Sequence, residues 1–218
     1  MGGFCIFRKQ NLITNIYIDG FNLYYGALRK TPYRWLNPEA LCRLLLPKNT
    51  IGKIKYFTAL VSARRNDPDQ PVRQQLFIRA LGTLPKVSVH FGHFLTHEVM
   101  MALAVPPGQS QKYARVIKTE EKGSDVNLAT HLLHDAHMGR FDIAVVVSND
   151  SDLLEPIKIV RNELHKKVGI LNPHSNPSRA LLPHIDFIKQ IRAGVLQAAQ
   201  FPVTLTDTHG TFTKPPSW

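Results

Sequence analysis

The 218-residue sequence predicts an α/β fold built on a central, mostly parallel sheet. Short β-rich runs alternate with helical segments along most of the chain. One of those runs, in FDIAVVVSNDSDLLEPI (141–157), is apolar without a break from Ile143 to Val147 and then surfaces abruptly at Ser148-Asn149-Asp150-Ser151-Asp152. Two of the strand-like runs, NIYID and DIAVVVSND, close on aspartate. In open α/β sheets ligands bind beyond the carboxyl ends of the strands, so those two ends are the places to look for a site.

The elements follow in order. Asn15–Asp19 reads as a strand, with a helix over about Leu23–Arg29. PEALCRLLL is a second helix, with Pro38 at its start, where a missing N–H costs nothing. Lys53–Val61 (KIKYFTALV) is a strand, SARRNDPDQPV a polar loop, and Val72–Leu81 a helix that offers Leu76, Ile78 and Leu81 for burial. Val87–Leu95 is strand-like. From about Val105 to Glu121, VPPGQSQKYARVIKTEE reads as an insertion rich in turn residues and bases. A helix over Asp125–His137, the apolar strand Ile143–Val147, a helix over about Leu153–Leu164 and the strand Val168–Leu171 complete the alternation, with a strand-and-helix pair over Phe187–Leu196. The expected organisation is an N-terminal extension (1–14), one domain (15–196) and a tail (197–218). The tail, FPVTLTDTHGTFTKPPSW, has too little periodicity to assign and reads as an arm or a loosely attached strand.

Composition narrows the function classes. Hydrophobic residues make up 44% and charged residues 20% of the chain, an ordinary globular balance. The longest clean apolar stretch is far short of a bilayer span. The start, MGGFCIFRKQNL, has its bases after the apolar patch, the wrong order for a secretory signal. Two cysteines, Cys5 and Cys42, form neither a disulfide framework nor a zinc cluster, which suits a cytoplasmic protein with reduced thiols. Lys plus Arg outnumber Asp plus Glu by 27 to 16, a net charge of +11 that favours polyanions, nucleic acid before membrane. No basic amphipathic helix or lipidation motif supports the membrane option. No glycine-rich phosphate loop points to a nucleotide cofactor.

The acids carry the chemistry. Asp19 ends the first strand, ahead of Gly20-Phe21-Asn22. Asp150 and Asp152 follow the strand that ends at Val147. Asp125 opens a helix after TEEKGS, with Glu120 and Glu121 just before it. Each has a structural reading too: Ser124 and Ser151 can cap helices with acids in their first turns, and Asp19-Gly20 is a common turn pair. Capping does not require Asp19 and Asp150 both to sit at strand ends, however. Gathered at one sheet edge, the carboxylates would repel unless protons or a cation neutralised them, and Mg²⁺ or Mn²⁺ suits an oxygen-only set.

YIDGFNLYY, EKGSDVNLA and VVVSNDSDLLEPI, in that order and spacing, resemble the three signatures of the NYN domain, the LabA/DUF88-type branch of the PIN-like nuclease fold. The likeness spans roughly Ile16 to Ile191. It implies a PIN-like, Rossmann-like three-layer sandwich with an acidic divalent-metal site that cuts phosphodiester bonds in RNA. By position it puts metal ligands at Asp19, Asp125, Asp150 and Asp152, with Asn22 as the amide of the first motif; Glu121, outside that correspondence, is a further candidate to assist the acids. Asn149 stands where the family often has Gly, and His131 where it often has a further acid.

A metal-activated water and neutralised phosphate oxygens would carry the hydrolysis, with Asn22 orienting a carboxylate or water. The candidate nucleic-acid contacts are Arg64 and Arg65 after the second strand, Lys112, Arg115 and Lys118 in the insertion, and Lys122 beside the acids. Tyr24, Tyr25 and Tyr113 are candidate stacking surfaces for single-stranded RNA. His131, His134 and His137 spread around their helix instead of converging on a metal, and Cys42 reads as core. Two alternatives stand beside the ribonuclease: a non-catalytic RNA-binding or regulatory module on the same fold, and a phosphatase of the haloacid dehalogenase type, to whose acids SNDSD is similar. The second acid that phosphatase needs falls on Phe21. The sequence leaves the oligomeric state open, a homo-oligomer included.

Overall fold

The computed structural model describes residues 12–104 and 112–218. Cys5, the first eleven residues of the expected N-terminal extension and residues 105–111 of the expected insertion lie outside the described residues.

Seven strands form one sheet: β1 (Ile13–Asp19), β2 (Thr50–Ala59), β3 (Val87–Ala102), β4 (Tyr113–Lys122), β5 (Ile143–Val147), β6 (Lys167–Asn172) and β7 (Phe187–Gln190). Their order is β4-β3-β2-β1-β5-β6-β7, and every pairing is parallel except β3 with β4. The chain grows outward from β1 on one side and then returns to lay β5 on its other side. The β1/β5 junction is therefore the point where strand order reverses, and α/β sheets open a crevice at such a point.

Alternation along the central strands explains why both faces are covered. Ile16 and Ile18 of β1, with Val145 and Val147 of β5, face one core, while Tyr17, Ala144 and Val146 face the other. The first core is closed by α2 (Pro38–Leu45), α3 (Gln70–Gly82) and α6 (Ala193–Ala198), through side chains such as Leu41, Phe77 and Leu196. The second is closed by α4 (Ser124–His137) and α5 (Leu154–Lys158), through Leu128, Leu132 and Ile157. The result is the expected three-layer sandwich. The run IAVVV has no polar side because neither face meets water.

Two regions depart from the expectations drawn from sequence. The expected insertion is mostly regular structure. β3 pairs with β2 only over Val87–Gly92, then leaves the sheet and pairs over His93–Ala102 with β4, making a two-stranded ribbon that projects from the carboxyl edge. In the sequence, the turn residues ahead of it masked the alternation of YARVIKTEEK. The tail is not a loose arm. It forms the hairpin β8 (Thr204–Asp207) and β9 (Gly210–Thr213) and packs on the first core. The anchor is Trp35, fully buried, whose ring meets Phe201, Phe212 and Trp218 and whose indole N–H donates to the Pro202 carbonyl at 2.8 Å. Arg79 of α3 pins the hairpin by donating to both Asp207 oxygens at 2.7 Å. Three aromatic contacts far apart in sequence leave no local period to read.

Candidate active site

Asp19 is the last residue of β1 and caps α1 (Gly20–Leu23): its Oδ1 accepts from the Asn22 N–H at 2.9 Å. Its Oδ2 accepts from the Ser148 hydroxyl, 3.1 Å away at the end of β5. Ser148 Oγ accepts in turn from the Asp150 N–H at 3.1 Å. One hydroxyl thus ties the two strand ends together. Burial pushes the Asp19 carboxyl above the ordinary aspartate range; the Asn22 and Ser148 donors oppose that, and the nearby Asp150 charge adds to it. Gly20 is needed here, since a Cβ would stand 2.6 Å from the Tyr56 ring and 2.7 Å from the Phe57 carbonyl.

Asn22 braces three loops. Its Oδ1 accepts from the Asn149 N–H at 2.9 Å and from His174 Nε2 at 3.1 Å, so the ends of β1, β5 and β6 meet on one amide oxygen. The sequence suggested that Asn22 would orient a carboxylate or water; its carbonyl holds the Asn149 backbone and the His174 ring, and its backbone N–H holds the Asp19 carboxylate. Asn149 does not use the left-handed conformation, since among the described residues only His165 has positive φ without being glycine. Its side chain bridges to Ser178 N and Asn176 O.

Asp125 sits in the first turn of α4. The helix is capped by Glu121 rather than by Ser124: Glu121 accepts from the Ser124 N–H at 3.0 Å and from its hydroxyl at 2.8 Å. Glu121 reaches the helix because β4 ends beside Gly92, where a Cβ would stand 2.5 Å from the Lys122 carbonyl. Burial, followed by the charges of Asp19, Asp150, Glu121 and Asp152, pushes the Asp125 carboxyl up to about 6. At the next helix Asp150, not Ser151, supplies the cap, accepting from the Asp152 N–H at 3.0 Å. Asp152 itself is exposed.

Asp19, Asp125, Asp150 and Glu121 line one cleft of about 430 Å³, and Asp152 stays outside its wall. The donors are all oxygens, and burial together with the neighbouring acid charges holds the Asp19 and Asp125 carboxyls above the ordinary range, which suits a hard divalent cation in kind. As the side chains stand, no three His, Cys, Asp or Glu among the described residues converge closely enough to hold one.

Of the expected nucleic-acid contacts, Arg64 lines the cleft and Arg65 does not. Lys112 and Tyr113 are exposed on the ribbon side of the sheet. Arg115 pairs with Glu98 at 3.4 Å, and Lys118 and Lys122 both pair with Glu120. His131 faces away from the acids, beside Lys55 Nζ at 3.2 Å and the His90 ring at 4.2 Å. An acid at that position would therefore not face the cleft. Sequence reasoning passed over Ser148, His174, Tyr56, Arg34 and Trp218. Ser148 lies within a recognised motif, but the other four are brought in from distant segments with no local signal.

A solved structure, a protein of unknown function VPA0982 from Vibrio parahaemolyticus RIMD 2210633, is similar with a TM-score of 0.57 at 16% identity, covering 85% of this chain and 96% of that one. The likeness is one of fold. In sequence, the chain is 32% identical over 241 aligned residues to the 6-hydroxy-3-succinoylpyridine 3-monooxygenase HspA of Pseudomonas putida (strain DSM 28022 / S16), across 96% of this chain and 76% of that protein. Residues 13–189 match the NYN domain model, and with the parallel sheet and the acids at its switch point they establish that this chain belongs to the NYN domain family of the PIN-like nuclease superfamily.

Proposed function

We propose that the protein is a divalent-metal-dependent ribonuclease acting on single-stranded RNA in the cytoplasm. The observation that carries this reading is the meeting of Asp19, Asp125 and Asp150 at one cleft, where burial and mutual charge raise the Asp125 carboxyl to about 6. Acids that repel one another in a crevice favour a cation.

Asp19, Asp125 and Asp150 would hold Mg²⁺ or Mn²⁺, with Asp152 at the rim. Bound there, the ion supplies a water of lowered pKa and charge to set against the phosphate oxygens. Ser148 and the Asn22 N–H fix the Asp19 carboxylate, and Glu121 fixes the helix that carries Asp125. Arg64, at the cleft wall, would meet the phosphate backbone. In Mn²⁺ the wild type should cleave labelled single-stranded RNA, while Asp19→Asn and Asp150→Asn lose cleavage and keep a cooperative melt. Retained cleavage in both variants would end the reading.

A second reading rests on the relative named as a monooxygenase of a succinoylpyridine and on the aromatic wall of the cleft. On that reading the substrate is a small aromatic acid. It predicts thermal stabilisation by hydroxylated pyridine acids and none by oligonucleotides.

No helix among the described residues is long and apolar enough to cross a membrane.

A further inference from the structure

Beyond its acidic end the cleft carries a group of aromatic side chains. Phe21 meets Phe94 edge-on at 5.7 Å, Tyr24 meets Tyr25 at 5.4 Å, and Tyr56 and Trp218 each lean on Phe77 at 5.9 and 5.8 Å. These faces come from five separate parts of the chain, and Trp218 closes one wall because the C-terminal hairpin is docked. Three arginines, Arg34, Arg64 and Arg73, share the space. Arg34 gives its Nε to the Thr31 carbonyl at 3.2 Å, and among the described residues neither Arg34 nor Arg64 has a carboxylate partner. Arg73, by contrast, is held by Asp67.

Tyr56 offers a polar group to a ligand. Its residue is only 6% exposed, it lines the cleft, and its hydroxyl makes no hydrogen bond among the described residues but reaches the open space of the cleft. The end of its ring lies against Gly20, one residue from Asp19, so a group bonded to it would sit beside the acids.

We propose that this part of the cleft binds one planar aromatic ring carrying an anionic group, the ring between the Tyr24 and Trp218 walls, the anion on Arg34 and Arg64, and a polar ring edge on the Tyr56 hydroxyl. The cleft volume of about 430 Å³ falls in the small-molecule range of about 300–1,000 Å³. Stacking needs no particular base, whereas the arginines demand a negative charge nearby. The ring can be an unpaired base with its phosphate or a free aromatic acid. The RNA source rests on the ribonuclease reading: a base drawn into this pocket leaves its phosphate near Asp19 and excludes duplex.

The experiment is calorimetry on the full-length protein in EDTA, with adenosine 5′-monophosphate, 4-hydroxybenzoate and ribose 5-phosphate as probes. Ring-bearing anions should bind at least tenfold tighter than ribose 5-phosphate. Arg34→Gln, Trp218→Leu and Tyr56→Phe should each weaken that binding several-fold, with unchanged circular dichroism. Preference for the nucleotide supports the pocket with a nucleic-acid source, and preference for hydroxybenzoate supports it with a small-acid source. Equal binding of all three probes, no binding of any, or variants that bind like wild type would overturn it. RNA cleavage is read separately: ring binding without cleavage keeps the pocket and removes the nuclease, while cleavage without ring binding does the reverse.

Discussion

Ser148 Oγ lies 3.1 Å from Asp19 Oδ2 and joins the ends of two neighbouring parallel strands through a buried hydroxyl. Ser148 is fully buried, and the same oxygen accepts from the Asp150 N–H. Ser148→Ala removes a donor from a buried carboxylate and an acceptor from a backbone amide at once. Leaving such groups without partners costs about 1–3 kcal/mol. Urea unfolding should show that loss, and because the Asp19 carboxylate is no longer fixed, metal affinity should fall as well.

Asp125 sets a pH dependence of opposite sign to that of most carboxylates. Burial and neighbouring acids lift its folded-state pKa to about 6 from 3.8. Between those values the folded protein binds more protons than the unfolded chain, so stability declines as pH rises through the window. Asp125→Asn should therefore melt higher than wild type at pH 7.5, and the two should converge near pH 3.8. A melting gap that does not change with pH would show that the carboxyl does not feel its neighbours. Removing divalent metal should widen the gap at pH 7.5.

The motif acids were legible because each stands at a strand end or helix start, positions with a local signature. Asp19 and Asp150 follow apolar β runs, and Ile16, Tyr17 and Ile18, all fully buried, turn alternately to the two cores. Their hydrogen-bonding roles were not legible. Glu121 rather than Ser124 caps α4, and Asp150 rather than Ser151 caps the next turn, because the choice of cap depends on the path of the preceding loop. Trp218 joins Tyr56 and Arg34 at the cleft through the docking of the hairpin on Trp35, a contact with no sequence period. The second strand of the ribbon was hidden by the turn residues that precede it in sequence, although YARVIKTEEK alternates cleanly between exposed and half-buried positions over most of its length.

Gly92 permits the ribbon to place Glu121 against α4. A Cβ there would stand 2.5 Å from the Lys122 carbonyl and 2.8 Å from the Ser124 N–H, both backbone. Gly92→Ala must push β4 away or displace the helix start. The expected result is lower thermal stability together with a fall in the Asp125 pKa, since Glu121 and the burial around Asp125 both contribute to it. NMR titration of the Asp125 carboxyl reads the second effect directly.

Away from the cleft, Asp135 is the hub of the opposite face, and its loss should cost more than that of any active-site acid. It is 1% exposed and accepts from Tyr17 Oη at 2.8 Å, Lys55 Nζ at 2.6 Å and Arg140 at 2.9 Å. Burial alone would push its carboxyl up, but the Lys55, Tyr17 and Arg140 donors outweigh that and hold it below the ordinary range. A carboxyl depressed on folding stabilises the protein above its unfolded pKa, and that contribution is lost as pH falls through the folded value. Asp135→Ala leaves Lys55 half-buried with no carboxylate partner, and breaking a buried pair on one side costs about 3–5 kcal/mol. Denaturant unfolding at pH 7 should show a loss in that range, shrinking below pH 4, where the wild-type carboxyl begins to protonate. Lys55→Met paired with Asp135→Leu should recover part of the loss, because no lysine charge is then stranded beneath the sheet, while the buried Tyr17 hydroxyl still lacks its acceptor.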